Sequence, residues 1–153
     1  MKLAFPYDHR DGIAQWGERD LYEWVTDIFE CPSVRIGPGC TNDVRNHVEK
    51  EFIREGWARD VKLDQDLKLN VFAQKDDLAF QLQTGNMSRA PYDLLKLQYL
   101  FQSGRIEAAA LAVPTKDAAR AIGENIANAD RIVRELQLFD RVITVPILLI
   151  AFD

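Results

Sequence analysis

Two neighbouring stretches of the chain alternate apolar and polar residues, which is the period of a half-buried β-strand. They span 66–74 and 78–86, and polar residues around Lys75 and Asp76 separate them as a turn. The pattern predicts a β-hairpin with one wholly apolar face. If the turn centres on Lys75 and Asp76, the apolar pairs across the hairpin are Leu69 with Leu82, Val71 with Phe80, and Ala73 with Leu78. A slip of one residue would turn this face away from the core, so the register is well specified.

The opposite face of the predicted hairpin is polar. In the same register Lys68 faces Gln83 and Asn70 faces Gln81, which gathers three amides on one side of the hairpin. Facing residues of a hairpin lie close together, so a hairpin can bring together the side chains of a binding or catalytic site. The alternative is that Asn70, Gln81 and Gln83 only form the solvated face of the hairpin.

Hydrophobic periodicity also predicts the elements on either side of the hairpin. The residues up to about Gly17 are expected to be irregular. Helices are predicted over 18–29, from an N-cap at Thr41 to a stop at Gly56, and over 92–102, 116–122 and 124–138; strands are predicted over 57–63, 106–113 and 142–152. Pro146 indicates a bulge or an edge position for the last strand. This order favours an α/β fold, a central mixed sheet flanked by helices, with an antiparallel hairpin and parallel helix-linked strands.

Composition and charge narrow the classes of protein. With 153 residues, 47% of them hydrophobic and 28% charged, the chain is expected to form a single domain over 1–153. The formal net charge of −5 gives no global attraction to nucleic acid, so any DNA binding has to rest on a local basic surface.

Several motifs bear on location and cofactors. The longest apolar run, 145–152, suits a buried strand and not a membrane span, and the N-terminus becomes polar too soon for a signal peptide. We therefore expect a cytoplasmic protein with Cys31 and Cys40 as free thiols and no membrane partner. Gly37-Pro-Gly39 lacks the signature of a phosphate-binding loop, so no nucleotide cofactor is expected. His9 has no identifiable partner and is discounted as a catalytic group.

The segment Gln81-Leu-Gln-Thr-Gly-Asn-Met-Ser-Arg89, followed by Tyr92-Asp-Leu-Leu-Lys-Leu-Gln98, resembles the BglII/BstYI-type restriction endonucleases. These have the PD-(D/E)XK nuclease fold, in a branch where the usual final lysine is glutamine. The similarity is strongest over 43–153 and extends to Ala112-Val-Pro-Thr-Lys116 and the closing Thr144-Val-Pro-Ile-Leu-Leu-Ile150. It implies a restriction-endonuclease-like mixed sheet flanked by helices, and a homodimer that cuts duplex DNA with Mg²⁺.

Transferred residue by residue, the resemblance assigns catalytic roles to the hairpin amides. Gln83 matches the family's glutamine, Gln81 stands in place of a metal-binding glutamate, and Asn70 is in phase for the metal-binding aspartate. Glu49 is a further catalytic candidate on the helix before the sheet. Two amides contribute no charge where two carboxylates would contribute −2, so Mg²⁺ has little reason to bind at Asn70 and Gln81. Either the metal site is lost, or these are inactivating substitutions, or an acid among Asp64, Asp66, Asp76 and Asp77 supplies the charge.

The DNA-binding candidates are Arg89, Lys96 and Lys116, which can contact phosphates, and Asn86 in the Gly-Asn turn. Their alternative role is surface solubility. The loop 30–42 is the candidate for reading bases. Three functions follow: a metal-dependent endonuclease, inactive as written if the amides remove the metal; a non-catalytic protein that binds DNA or protein with the same fold; or a scaffold with no DNA role.

Overall fold

The computed structural model describes residues 1–153 and contains six strands and six α-helices. The strands are β1 (Leu3–His9), β2 (Ala58–Lys62), β3 (Asn70–Lys75), β4 (Leu78–Leu82), β5 (Ala108–Pro114) and β6 (Ile147–Phe152). The helices are α1 (Gly12–Gly17), α2 (Tyr22–Asp27), α3 (Thr41–Arg54), α4 (Ala90–Gln102), α5 (Lys116–Ile122) and α6 (Ala129–Leu138), and a single 3₁₀ turn, Met87–Arg89, precedes α4. No helix is long and apolar enough to cross a membrane.

All six strands belong to one mixed sheet, in the order β1-β6-β5-β4-β3-β2. The hairpin strands β3 and β4 pair antiparallel, as predicted, and β2 also pairs antiparallel with β3. The strands that helices connect, β4 with β5 and β5 with β6, pair parallel. The predicted α/β architecture with helices on a mixed sheet is therefore confirmed.

Each face of the sheet has its own hydrophobic core. Helices α1 to α3 cover one face, where Trp16 and Phe52 pack against alternate residues of β4, β5 and β6. Helices α4 and α6 cover the other face, where Leu97 and Ile132 pack against the intervening residues of the same strands. Strands β5 and β6 are buried throughout, which explains why they are continuous apolar runs. Gly12 allows α1 its close approach to β6, since a Cβ there would lie 2.1 Å from the carbonyl carbon of Ile147.

The expectation of an irregular N-terminus was wrong. Leu3–His9 forms an edge strand that pairs antiparallel with β6. The chain then turns through Arg10 and Asp11, both with positive φ, into α1. His9 has a structural partner after all: it is buried, and its Nε2 donates to the carbonyl oxygen of Ile143 at 2.8 Å.

Three predicted boundaries also need correction. Helix α2 is confined to Tyr22–Asp27, and α6 begins only after Asn128, whose side chain accepts from the N–H of Arg131 at 3.1 Å. The residues before Asn128 instead bond to the turn ahead of α4. Pro146 lies before β6, and β6 is an interior strand between β1 and β5, so the edge position was wrong.

The hairpin exists, but its register differs by two residues from the predicted one. Ala73 pairs with Phe80 and Lys75 with Leu78, because the turn consists of Asp76 and Asp77. Asp76 takes a left-handed conformation with φ 50°, which aspartate tolerates in turns. The displacement moves Asn70 away from Gln81 and brings the backbone of Phe72 opposite it.

The apolar face of the hairpin is also interrupted. Five of its six predicted members are buried, and Leu69 is half-buried. Val71 belongs to the core on the α4 side, whereas Ala73 and Phe80 belong to the core on the α1 side. Backbone pairing between β3 and β4 ends at Ala73 and Phe80, so the two strands diverge beyond this point.

Candidate functional site

A polar cleft of about 690 Å³ opens where β3 and β4 diverge. It brings together five of the predicted site residues: Asn70, Gln81, Gln83, Arg89 and Lys96. Arg45 from α3 and Asp93 from α4 also line it. The two helices cover opposite faces of the sheet, so the cleft collects residues from both layers.

The two glutamines are held firmly inside the cleft. Both are buried, and both donate through Nε2 to one carboxylate, Asp93: Gln81 to Oδ1 at 2.9 Å and Gln83 to Oδ2 at 2.5 Å. The Oε1 atom of Gln81 accepts from the N–H of Phe72 at 3.0 Å, and that of Gln83 accepts from the N–H of Gly85 at 2.7 Å. The Gln81 side chain thus replaces the missing backbone pairing between β3 and β4, and its orientation is determined at both ends.

Asp93 is the centre of this network, and sequence reasoning missed its role. It opens α4 in the Tyr-Asp pair of the recognised motif, but nothing in its spacing places it beside the hairpin amides. Besides the two glutamines it contacts Lys96, whose Nζ lies 2.6 Å from Oδ1. Burial raises the pKa of the Asp93 carboxyl, while the Lys96 ammonium and the hydrogen bond from Gln83 oppose that rise.

Asn70 lies on the wall of the cleft and outside the glutamine network. Its side chain is exposed and donates to Asp60 at 3.4 Å, and its backbone oxygen accepts from Lys96 Nζ at 3.0 Å. Phe72, opposite Gln81, turns its ring into the core, where Arg45 lies over it at 5.1 Å from the ring centroid. No hydrogen bond joins Asn70 to Gln81.

The remaining predicted site residues lie outside the cleft. Glu49 forms an ion pair with Arg59 at 2.5 Å. Asn86 accepts from the N–H of Ser88 at 2.9 Å and so caps the 3₁₀ turn. Lys116 lies in a second groove of about 250 Å³, on the other side of that turn.

The second groove is also basic. Besides Lys116 it is lined by Arg120 and Arg131, together with the amides Asn125 and Asn128, and no carboxylate lines it. Met87 lines this groove and Arg89 lines the cleft, so the two depressions flank the same 3₁₀ turn.

Comparisons with known proteins identify the family. A family model described as restriction endonuclease BglII/BglIII matches residues 8–152. The chain belongs to the BglII restriction endonuclease family. A search of curated proteins finds no match.

Two crystal structures establish the BglII fold. One is restriction endonuclease BglII complexed with a DNA 16-mer, with a TM-score of 0.83, 11% identity, and coverage of 100% of this chain and 78% of that one. The other is free BglII, with a TM-score of 0.73, 14% identity, and coverage of 100% and 80%. The mixed six-stranded sheet with its helices is the sheet of this fold.

BglII-family membership implies a divalent metal, but the donors in the cleft fit Mg²⁺ poorly. Mg²⁺ prefers carboxylate oxygens and needs near-ideal octahedral geometry. Here the oxygens of Gln81 and Gln83 already accept backbone hydrogen bonds, and the one carboxylate, Asp93, is neutralised by Lys96. No group of three or more His, Cys, Asp or Glu side chains that could hold a metal occurs in residues 1–153.

The acids near the hairpin turn do not supply the missing carboxylate ligands for Mg²⁺. Asp77 pairs with Arg19, and that hydrogen bond lowers the pKa of its carboxyl. Asp64 accepts from the N–H groups of Leu67 and Asp66, and these bonds lower its pKa. Asp64, Asp66, Asp76 and Asp77 do not line the cleft.

Proposed function

We propose that this chain binds duplex DNA in the cleft and, with its present residues, does not cleave it. The observation that carries the proposal is the Asp93–Lys96 ion pair, because Asp93 is the only carboxylate that lines the cleft and Lys96 already balances its charge. Phosphodiester hydrolysis in a metal-dependent nuclease needs a metal that activates water and neutralises charge. A cleft whose only anion already has a cationic partner lacks the charge to hold that metal.

The charge of the cleft supports binding to a polyanion. Arg45, Arg89 and Lys96 line it together with the single carboxylate of Asp93, in a chain whose net charge is −5. Basic side chains positioned along a cleft contact DNA phosphates and set the orientation of the duplex. The similar BglII structure holds a DNA 16-mer, which supports the same ligand class for this chain.

A second candidate is a metal-dependent endonuclease in which Asp93 is the metal ligand. It is favoured by one observation, the buried carboxylate that touches both glutamines. For this function Lys96 would have to release Asp93 when the metal arrives. The candidate predicts cleavage by the unaltered chain, and loss of cleavage in Asp93→Asn.

The decisive experiment measures binding and cleavage separately. We expect duplex DNA to bind in EDTA, with an affinity that falls as salt rises, and no cleavage of plasmid DNA in Mg²⁺. Replacing Arg45 and Arg89 by Gln should lower the slope of log affinity against log salt by about 0.9 for each lost phosphate contact. Lys50→Gln with Arg54→Gln is the matched control, since these exposed cations of α3 lie outside the cleft. Cleavage by the unaltered chain would contradict the proposal.

Restoring carboxylates tests why cleavage is absent. Asn70→Asp with Gln81→Glu returns a charge of −2 to the walls of the cleft. Each 1.4 kcal/mol or so of transition-state stabilisation is worth tenfold in rate, so a restored metal should raise cleavage by orders of magnitude. If the variant binds Mg²⁺ and stays inert, the loss of cleavage has a cause beyond the two amides.

A homodimer is the assembly we infer for DNA binding. A largely apolar groove beside the cleft leaves Leu67, Tyr92, Leu95 and Tyr99 more than half exposed. Two-fold symmetry would match the symmetry of a palindromic duplex. Sedimentation should show a dimer at micromolar concentration, and Leu95→Glu should dissociate it, while Ile53→Glu on the exposed face of α3 should not. A monomer with and without DNA would contradict this assembly.

A further inference from the structure

Lys96 occupies an unusual position for a lysine in a DNA-binding cleft. Its side chain is only 14% exposed, although it belongs to a cleft wall. Its Nζ lies 2.6 Å from the Asp93 carboxylate and 3.0 Å from the backbone oxygen of Asn70. A carboxylate oxygen and a main-chain carbonyl oxygen are also typical ligands of a hard divalent cation.

We propose that the Lys96 ammonium takes the place of the divalent cation, so that the cleft binds a DNA phosphodiester without metal. That the Lys96 ammonium binds a DNA phosphate rests on the function proposed above. That it excludes a metal ion from the cleft does not. An ammonium carries three N–H donors. Two are directed at Asp93 and Asn70, and the third is free to donate to a phosphate oxygen in the cleft.

The surroundings of Lys96 explain why the ammonium is stable there. A desolvated charge is tolerated when it is paired and its partner is hydrogen-bonded. Asp93 meets this condition, since Gln81 and Gln83 each donate to one of its oxygens. The two glutamines therefore position the carboxylate, and the carboxylate positions Lys96.

Removing the ammonium should make the cleft responsive to metal. In Lys96→Met the buried Asp93 carboxylate loses its contacting cation and keeps only the more distant Arg89, so a divalent ion can approach it from the cleft. In the double variant Lys96→Met with Asp93→Asn no carboxylate remains to attract an ion. Lys96→Arg keeps the positive charge and serves as the conservative control.

Thermal unfolding with Ca²⁺ tests the metal exclusion without DNA. A ligand that binds only the folded state raises the melting temperature. We expect 10 mM Ca²⁺ to leave the unaltered chain, Lys96→Arg and the double variant unchanged relative to a matched ionic strength of KCl, and to stabilise Lys96→Met. Stabilisation of the unaltered chain, or an equal response of Lys96→Met and the double variant, would overturn the proposal. If Lys96→Met folds poorly without a cation, Ca²⁺ should restore its folding and leave the double variant unaffected. Failure of Ca²⁺ to restore that folding would overturn the proposal.

DNA binding supplies the second measurement. The affinity of the unaltered chain should be the same within twofold in EDTA and in 5 mM Ca²⁺. Lys96→Met should lose at least tenfold in EDTA and recover part of that loss in Ca²⁺, while Lys96→Arg stays near the unaltered value. A requirement of the unaltered chain for Ca²⁺ overturns the inference. Absence of DNA binding in every condition instead overturns the proposed function. The thermal unfolding experiment with Ca²⁺ then decides by itself whether Lys96 excludes a divalent cation from the cleft.

Discussion

The two basic depressions on either side of the 3₁₀ turn Met87–Arg89 differ in how their charges are held. In the cleft, Lys96 and Asp93 are nearly buried and every polar atom of the two glutamines has a partner. In the second groove Arg120 is 70% exposed and pairs at 3.4 Å with a 92% exposed Asp117. The charges of the cleft are therefore held in fixed positions, whereas the ion pair of the second groove is largely solvated.

This difference predicts what each depression can do. Exposed ion pairs contribute little to stability and are screened by salt, whereas buried hydrogen-bonded pairs are costly to break. The cleft can therefore orient a phosphate and discriminate against a competing cation. The second groove can add electrostatic attraction along the duplex, without a defined geometry.

The largest effect should come from removing the centre of the cleft network. Asp93→Ala leaves the Lys96 ammonium buried without its partner and two amide N–H groups without acceptors. Breaking such a pair costs about 3–5 kcal/mol. Urea unfolding should show this loss, whereas Asp117→Ala, which removes the exposed ion-pair partner of Arg120, should cost at most about 1 kcal/mol. Equal, small losses for both variants would mean that the two depressions do not differ as described.

A pH series on Lys96→Met separates charge from packing. Burial raises the pKa of Asp93 in the folded state above its unfolded value of about 3.9, so the folded state holds its proton more tightly there. Stability then falls as pH rises through the window between the two pKa values. Removing Lys96 raises the folded pKa further, so the destabilisation by Lys96→Met should be small at pH 4 and approach about 3–5 kcal/mol at pH 7.5.

The double variant Lys96→Met with Asp93→Asn is the control for the pH series. It cannot titrate at position 93, so its stability difference from Asp93→Asn alone should not vary with pH over the same range. A constant destabilisation by Lys96→Met at all pH values would assign the effect to lost packing of the lysine stem.

The charges of the second groove should affect affinity and not stability. Replacing Lys116, Arg120 and Arg131 by Gln should lower the salt slope of DNA binding by about 0.9 for each lost phosphate contact. The unfolding free energy should change little, since the ion pairs lost, Arg120–Asp117 and Arg131–Glu135, are within-helix pairs of exposed arginines. Replacing Lys2, Lys50 and Arg54 by Gln removes the same charge elsewhere and should leave the slope unchanged. Equal slopes for the two triple variants would show that the groove does not contact DNA.

The smallest effect is expected at the turn between the two depressions. Asn86 accepts from the N–H of Ser88 and thereby caps the 3₁₀ turn. Asn86→Ala should cost about 1 kcal/mol of stability, as loss of an N-cap usually does. Ser88→Ala, at an exposed position of the same turn, should cost less because the cap uses only its backbone. Chemical denaturation of both variants compares them directly.

Local patterns predicted much of the fold. The sequence predicts helix α5 over its observed residues. It also predicts α3 from its apolar stripe and β5 from its continuous apolar run, because both patterns lie within a short stretch of the chain. Strand β1 could not be predicted this way, since it forms only by pairing with β6 at the far end of the chain. The hairpin was predictable, but its register depended on the left-handed conformation of a single residue, Asp76.

The sequence by itself determined the composition of the site: its family motif, its glutamines, and amides at hairpin positions 70 and 81, where the resemblance predicts metal-binding acids. Only the tertiary structure decided how these residues act. Packing of α4 against the sheet brings Asp93 and Lys96 to the glutamines, and packing of α3 on the other face brings Arg45 to the same cleft. No spacing along the chain encodes such contacts, because they arise where two layers meet at a break in strand pairing. At that break Phe72 turns into the core and Asn70 lies at the wall of the cleft. Asn70 is therefore displaced by two residues of register from its predicted position opposite Gln81.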